Sequence, residues 1–85
     1  EFADRKIRVN SVHPGPVNTQ MMRRIETDIS PEDAGQAQQN FEGMVPFERY
    51  AEPGEIGALT LFLASDESKY ISGHTHVIDG GMMLT

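Results

Sequence analysis

The sequence contains no cysteine and no tryptophan, and only two of its 85 residues are tyrosine. A chain without thiols forms no disulfides, so nothing in it indicates an oxidising compartment. There is no N-terminal apolar segment of the signal-peptide kind and no apolar run of 18 residues. We therefore expect a soluble, cytoplasmic protein with no membrane partner.

Positive charge is also scarce. Seven Lys and Arg residues stand against 13 Asp and Glu residues, which leaves a net charge of −6. A chain of this charge is repelled by the phosphate backbones of DNA and RNA, so we expect no nucleic-acid partner.

Large apolar side chains are few, since Leu, Ile, Val and Phe contribute 19 of the 85 residues. That share is close to the level below which compact folding fails. Ordering the chain costs on the order of 130 kcal/mol at roughly 1.5 kcal/mol per residue, and small domains usually offset such a cost with disulfides or a metal. We expect the chain to be too poor in core residues to fold alone.

Two segments are typical of β-strands. Residues 7–12 form a β-branched run that meets Pro14 and Gly15, where Pro14 is expected to end the ladder because it has no N–H. Residues 75–78 form the second run. Residues 1–6 are predicted to be the last turn of a helix.

Three helices are predicted between the strands. Asn18 or Thr19 is expected to cap a short first helix, and Ser30 is expected to cap a second one that ends at Gly43. The third and strongest helix runs from Pro53 to Ala64, and its second half is apolar on nearly every side. Such a helix must be covered on every side.

Two strands separated by about 60 residues of mostly helical pattern predict a piece of a parallel α/β sheet. A parallel sheet needs several strands and cover on both faces. The missing strands are expected to come from sequence that precedes this chain.

Three motifs resemble the short-chain dehydrogenase/reductase family, in family order and at family spacing. In that family a strand ending in Val-Asn is followed by Pro-Gly-x-Val-x-Thr, then by a helix and a last strand with a glycine turn. The matching segments are residues 7–19, residues 52–56 with 62–68, and residues 70–73 with 77–81. Gln20 stands where the family often has Pro, which bears on how the chain enters the segment that follows.

The resemblance implies an α/β fold in which residues 1–85 are the C-terminal part of one dinucleotide-binding domain. That part is a C-terminal fragment of a Rossmann-like, doubly wound parallel sheet, with the last two strands, a lid and a packing helix. Residues 20–47 would be the substrate lid. The implied activity of the complete protein is hydride transfer between NAD or NADP and a secondary alcohol or ketone.

The resemblance also assigns roles near the first strand. It implies that Pro14, Gly15 and Val17 line the nicotinamide, and that the Val17 backbone and the Thr19 hydroxyl hold its carboxamide. Ligands of open α/β sheets bind just beyond the carboxyl ends of the strands, which is where these residues lie. The alternative is an ordinary turn with Thr19 as a helix cap, and Thr19 could serve both roles.

Four apolar residues flank or belong to the predicted lid: Met21, Met22, Met44 and Phe47. Methionine side chains suit a surface that re-forms around different apolar ligands. We expect these residues to close over cofactor and substrate. The alternative is that they only pack the lid onto the body of the protein.

The family's catalytic residues are a Ser, a Tyr and a Lys four positions after the Tyr. Tyr50 is followed at that spacing by Gly54, and Tyr70 by His74. We therefore predict no catalytic residue in this chain, expect those groups upstream, and expect the 85-residue segment alone to be inactive. Two alternatives stay open: a catalytically inactive relative that serves as a structural or interaction subunit, and a small acidic binding module.

Other polar clusters have simpler explanations. His74 and His76 share one face of a strand near Asp79, but no third convincing ligand follows, so no metal site is predicted. Four acidic residues are interpreted as a solvated helix end: Glu26, Asp28, Glu32 and Asp33.

The chain also contains surfaces suited to assembly. The helix at residues 53–64 is apolar on more sides than one sheet can cover, and the strand at 75–78 is expected to be the outermost of its sheet. The family resemblance implies a homotetramer that uses this helix and this strand as one interface.

Overall fold

The computed structural model describes residues 6–84. The helical turn predicted at residues 1–6 lies outside the described residues except for Lys6, which is in a turn. The elements are β1 (Ser11–Pro14), α1 (Gln20–Ile29), α2 (Ala34–Gly43), α3 (Pro53–Ala64) and β2 (Thr75–Ile78), with short 3-10 turns at Asp66–Ser68 and Met82–Leu84.

The two strands lie side by side and run parallel. Ser11 is opposite Thr75 and Pro14 is opposite Ile78. All three helices lie in the connection between the strands, as the sequence predicted, and β2 has the predicted bounds. The fold is therefore the expected α/β fragment with a two-stranded parallel sheet.

The predicted bounds of the first strand were wrong, because residues 7–10 precede the ladder. The Val9 carbonyl accepts a hydrogen bond from the Gly73 N–H at 2.6 Å, and the Val9 N–H donates to Ser72 Oγ at 3.2 Å. Since β2 begins only at Thr75, these residues face a loop and pair with it irregularly.

The first strand ends at Pro14, as predicted, but the missing N–H of Pro14 is not the reason. The Gly15 N–H donates to the Ile78 carbonyl at 3.0 Å, one residue beyond Pro14. In a parallel ladder, Pro14 would not direct an N–H at Ile78, the residue opposite it. The neighbours of Pro14 in the chain form the hydrogen bonds to Ile78 instead. The missing donor of Pro14 therefore costs this pair of strands nothing.

Helix α1 is held at both ends by local bonds. Thr19 is its N-cap, and the Thr19 hydroxyl accepts a bond from the Met22 N–H at 3.4 Å. At the other end the Ser30 N–H donates to the Glu26 carbonyl at 3.0 Å. Of the two caps that the sequence allowed, the structure has Thr19.

The predicted start of α2 at Ser30 was wrong. Ser30 closes α1, Pro31 lies in the turn that follows, and Asp33 is the N-cap of α2. The Asp33 carboxylate accepts a bond from the Gln36 N–H at 3.1 Å. The backbone of Ser30 is already used by the preceding helix, so the start moves to the next residue with a capping side chain. The predicted end at Gly43 is confirmed.

Helix α3 begins in a network of charged groups. Glu52 and Glu55 form a capping box, in which the Glu52 N–H donates to the Glu55 carboxylate at 2.8 Å. Arg49 donates to both oxygens of the same carboxylate, at 2.8 and 2.9 Å. These bonds, that of Arg49 first, lower the pKa of Glu55 to about 2.

The apolar core of residues 6–84 is small. Its buried members are Ala37, Val45, Tyr50 and Leu63. The radius of gyration is 16.3 Å, compared with about 12 Å for a compact domain of this length. Leu63 is the buried residue of α3, whereas Leu61 is 72% exposed. The described residues thus leave most of α3 uncovered.

Arg8 attaches the segment before β1 to the end of α3. Its guanidinium donates to the carbonyls of Leu63 at 2.9 Å and of Ser65 and Ser68 at 3.1 Å. The last carbonyls of a helix have no intrahelical donor, and the helix dipole makes that end favourable for a cation. The Arg8 side chain therefore satisfies the end of α3 and fixes it beside the sheet.

We expect Arg8→Met to lower the free energy of unfolding of the complete protein by about 2–3 kcal/mol, because it removes charged hydrogen bonds and leaves carbonyls unpaired. Arg8→Lys keeps the charge without the planar fork and should lose less. Urea unfolding measures both, with Arg24→Met on exposed Arg24 as the control. Equal losses for Arg8→Met and Arg24→Met would contradict this role.

Candidate functional site

The candidate site lies just beyond β1, where the chain pairs with the segment that leads into α3. Val17 and Ala51 form a parallel bridge. The Asn18 N–H donates to the Ala51 carbonyl at 2.8 Å, and the Ala51 N–H donates to the Pro16 carbonyl at 2.9 Å. In such a bridge the amide groups of the central residue point away from the partner. The Val17 N–H therefore faces away from Ala51, and it donates to no acceptor within the described part of the chain.

The Thr19 hydroxyl lies two residues further on and is only weakly engaged. It accepts the capping bond from Met22 at 3.4 Å and donates to the Val17 carbonyl, also at 3.4 Å. Both distances exceed the usual upper limits of about 3.2 Å for N–H donors and about 3.0 Å for O–H donors, so both bonds are weak. A ligand group that forms a shorter hydrogen bond with this hydroxyl would replace these two bonds at a small cost in free energy.

Val17, Thr19 and Met21 line one side of an open groove of about 760 Å³. Helix α3 and its first turn supply the other side, through Pro53, Ile56, Gly57, Thr60, Leu61 and Ala64. The lining is largely apolar, with Thr19 and Thr60 as its polar side chains. An apolar groove with few polar groups suits an uncharged ligand.

Pro14 and Gly15 lie at the end of β1 and are not among the residues that line this groove. A side chain on Gly15 would place its Cβ 2.9 Å from Asp79 Cβ and 3.0 Å from Asp79 Cα. Glycine is thus required here by the close approach of β1 to the residue that follows β2. The resemblance assigned Gly15 only to the lining of the nicotinamide, and this packing reason was missed.

Asp79 and Gly80 shape the end of β2. The Asp79 carboxylate accepts bonds from the Gly81 and Met83 N–H groups, both at 3.0 Å, and so caps the final turn. Gly80 has a φ of +63°, and a Cβ there would lie 2.6 Å from a Val45 methyl carbon. Glycine therefore lets buried Val45, at the end of the predicted lid, rest directly on the backbone.

The predicted lid residues do not converge on one cavity. Met21 lines the groove beside Thr19, whereas Phe47 lines a separate cavity of about 90 Å³ next to Ile78. Met22 is half-buried and Met44 is exposed.

Glu26 was expected at a solvated helix end, and that expectation was wrong because its side chain is only 2% exposed. The Tyr50 hydroxyl donates to Glu26 Oε2, and the Arg23 guanidinium lies 3.0 Å from each carboxylate oxygen. A buried carboxylate needs such partners. The spacing of Arg23 and Glu26 could have indicated the ion pair, but nothing local points to Tyr50, which is 24 residues away.

Neither tyrosine has the environment of an acid–base catalyst. Burial raises the pKa of Tyr50 above its ordinary value, and the hydrogen bond to Glu26 raises it further. A catalytic tyrosine needs the opposite shift, toward the working pH. Tyr70 is fully exposed to solvent.

The remaining polar candidates stay isolated. The rings of His74 and His76 are 6.4 Å apart, and His76 Nε2 lies 3.0 Å from Asn10 Oδ1. Within residues 6–84 no three His, Cys, Asp or Glu side chains come together as a metal site. None of the helices in the same range combines the length and apolarity needed to cross a bilayer.

Comparison with known proteins gives concordant matches. A family model described as Enoyl-(Acyl carrier protein) reductase matches residues 1–83. Oxidoreductase UcpA of Escherichia coli (strain K12) is 44% identical over 84 residues, covering 99% of this chain and 32% of that protein. A short chain dehydrogenase family protein from Francisella tularensis subsp. tularensis SCHU S4 superposes with a TM-score of 0.94 at 37% identity, covering 99% of this chain and 36% of that one.

L-sorbose reductase from Gluconobacter frateurii, whose structure is a complex with NADPH and L-sorbose, superposes with a TM-score of 0.90 at 27% identity, covering 99% of this chain and 34% of that one. The chain thus spans about one third of the length of the proteins that it matches. The two adjacent parallel strands, the helices between them and a family model that matches nearly every residue together show that the chain belongs to the short-chain dehydrogenase/reductase family.

Proposed function

We propose that the complete protein is an oxidoreductase that transfers hydride between NAD or NADP and a secondary alcohol or ketone. This chain would line the nicotinamide, form the lid at residues 20–47 and supply an oligomer interface. One observation carries the proposal: Val17, with an unpaired N–H, and Thr19, with a weakly bonded hydroxyl, both line an apolar groove beyond β1. The relatives support it, since UcpA is named an oxidoreductase.

The groove would accept a nicotinamide ring with its carboxamide beside Val17 and Thr19. A carboxamide has one carbonyl acceptor and an NH₂ donor. The Val17 N–H would donate to the carbonyl, and the Val17 carbonyl or Thr19 Oγ1 would accept from the NH₂. When bound, the nicotinamide supplies or accepts the hydride. Fixing its carboxamide would determine which face of the ring is turned toward the substrate.

The residues around the groove would hold the ring and exclude water. Pro14 and Gly15 would form the wall at the end of β1, where ligands of α/β sheets bind. Met21 already lines the groove, and Met22, Met44 and Phe47 would complete a lid that closes over the substrate. The structure of L-sorbose reductase, one of the structural neighbours, is a complex with NADPH and L-sorbose. Both NAD and NADP remain candidates here.

Helix α3 has the surface of a helix–helix interface. Its exposed residues include Gly54, Gly57, Ala58 and Leu61, of which Gly57 and Leu61 also line the groove, and a Cβ at either glycine would meet nothing within 4 Å. Small residues let two helix backbones approach closely, while Leu61 supplies apolar area to bury. We propose a cytoplasmic homotetramer in which α3 and the edge strand β2 meet their symmetry mates.

The first prediction here concerns activity. The complete protein should bind NADH or NADPH with a change in nicotinamide fluorescence and should reduce NAD or NADP with at least one of a panel of secondary alcohols. Residues 1–85 expressed alone should do neither, and should lack a cooperative melt, because their core is too small. Nicotinamide binding without turnover on any panel member would favour the inactive relative.

The second prediction concerns Thr19. Thr19→Val keeps the shape and removes the hydroxyl, so nicotinamide affinity should fall about two- to tenfold, and turnover with it. Thr19→Ser should retain most of both. Fluorescence titration measures the affinity. Thr27→Val is the matched control, because the Thr27 hydroxyl bonds only the Arg23 carbonyl, within α1, at 2.9 Å.

The same variants also test the alternative that Thr19 is only a helix cap. A helix cap contributes about 1 kcal/mol to stability and nothing to cofactor binding. A lower melting temperature of Thr19→Val with unchanged nicotinamide affinity would leave Thr19 as the cap alone.

The third prediction concerns assembly. Leu61→Glu should lower the oligomeric state seen by light scattering, because it buries a charge at the proposed interface. Leu61→Ala should weaken assembly less. Since Leu61 also lines the groove, nicotinamide affinity is measured alongside. A monomeric unmutated protein at micromolar concentration would refute the interface.

A further inference from the structure

Helix α1 is attached to the rest of the protein in an unusual way. Its buried side chain in the described structure is a carboxylate, Glu26, whereas its apolar residues Met21 and Ile29 are 70% and 63% exposed. Ordinary surface helices are held by an apolar face. Polar contacts at Glu26 therefore contribute much of what holds this helix in place.

The partner of Glu26 lies on the segment that returns from the lid to the body of the protein. Tyr50 is buried and immediately precedes Ala51, the residue that pairs with Val17 in the parallel bridge. The bond from Tyr50 to Glu26 thus connects the middle of α1 to the same backbone pairing that orients the groove.

Arg23 completes the contact. Its guanidinium lies 3.0 Å from both oxygens of Glu26, and its Cζ lies 5.6 Å from the centre of the Tyr50 ring. A buried charge is tolerated when it is paired, and removal of one partner leaves it uncompensated. The three side chains therefore depend on one another, and each restricts the rotation and tilt of α1.

The other end of the lid is held separately. Buried Val45 rests on the backbone of Gly80, and the Phe47 N–H donates to the Gly80 carbonyl at 3.2 Å. That attachment combines an apolar contact with one backbone hydrogen bond and lies beside β2. It holds α2 and the lid's exit, and it acts on α1 only through the packing of α1 against α2.

We propose that Tyr50, Glu26 and Arg23 form a polar clasp of positioning residues that fixes α1 against the segment at residues 50–51. The clasp thereby sets where Thr19 and Met21, at the start of α1, stand in the groove. The proposal deepens the proposed function, because it concerns the alignment of the same nicotinamide site. The clasp residues themselves do not line that groove.

Tyr50→Phe in the complete protein tests the clasp, because it removes the bond to Glu26 and leaves the ring. Trypsin cleavage after Arg24 requires α1 to open locally, so its rate follows the open population. Without nucleotide this rate should rise about two- to tenfold, as the loss of one hydrogen bond predicts. Tyr70→Phe makes the same chemical change at a fully exposed site and should leave the rate unchanged.

Two further measurements separate local positioning from general stability. Cleavage after Lys69, outside the lid, should be the same in both tyrosine variants. Affinity for NADH and NADPH should fall in Tyr50→Phe, because α1 without this bond is free to shift in its closed state and Thr19, its N-cap, shifts with it. If Tyr50→Phe does not fold, Glu26→Gln keeps the side-chain volume, weakens the pairing with Arg23 and should raise cleavage after Arg24 in the same way.

Each outcome of these measurements supports or overturns the clasp. Equal cleavage after Arg24 in Tyr50→Phe and Tyr70→Phe overturns the clasp, and so does an equal rise after Lys69. Faster cleavage after Arg24 with unchanged nucleotide affinity overturns its positioning role. If the unmutated protein binds neither NADH nor NADPH, the proposed function fails, while the cleavage rates measured without nucleotide still decide whether the clasp holds α1.

Discussion

The backbone pairing of Val17 with Ala51 is the constraint on which the site depends. It brings together two segments separated by the whole of α1 and α2, so the residues between them form a loop that begins and ends at this pairing. The same pairing turns the Val17 N–H away from Ala51, so it stays unpaired within the described residues. It also places Tyr50, the residue before Ala51, where it can reach Glu26 on α1. Backbone geometry thus sets both the direction of the Val17 N–H and the attachment of the helix that follows it.

Charged side chains do much of what apolar burial does in a larger domain. Arg8 satisfies the carbonyls at the end of α3, and Arg49 pairs with Glu55 at its beginning. Arg23 does the same for Glu26. Acidic residues outnumber basic ones in this chain, yet these three arginines lie where a helix end or a carboxylate needs a cation. Several large apolar side chains, Leu61 among them, nevertheless stay exposed in the described residues.

The positions of the elements followed from local patterns, whereas several bounds did not. Thr75–Ile78 and Pro53–Ala64 were predicted correctly, because a short β-branched run and a proline-initiated apolar helix leave little choice. The first strand was misplaced, because its bounds depend on where its distant partner begins. The start of α2 was misplaced for a related reason, since Ser30 could end one helix or begin the next.

By itself the sequence determined the class of the protein: the strand–turn motif at residues 7–19 and the motifs that follow it are enough to identify the family. It also determined the candidates for the groove, because Val17 and Thr19 follow the carboxyl end of a strand. Only the tertiary structure decided that Glu26 is buried, that the close approach of Asp79 requires glycine at position 15, and that Met21 and Phe47 line different cavities. The physical reason is distance along the chain. A carboxylate at a helix surface is solvated unless a side chain from a remote segment, such as Tyr50, covers it. The local sequence pattern does not indicate such a contact.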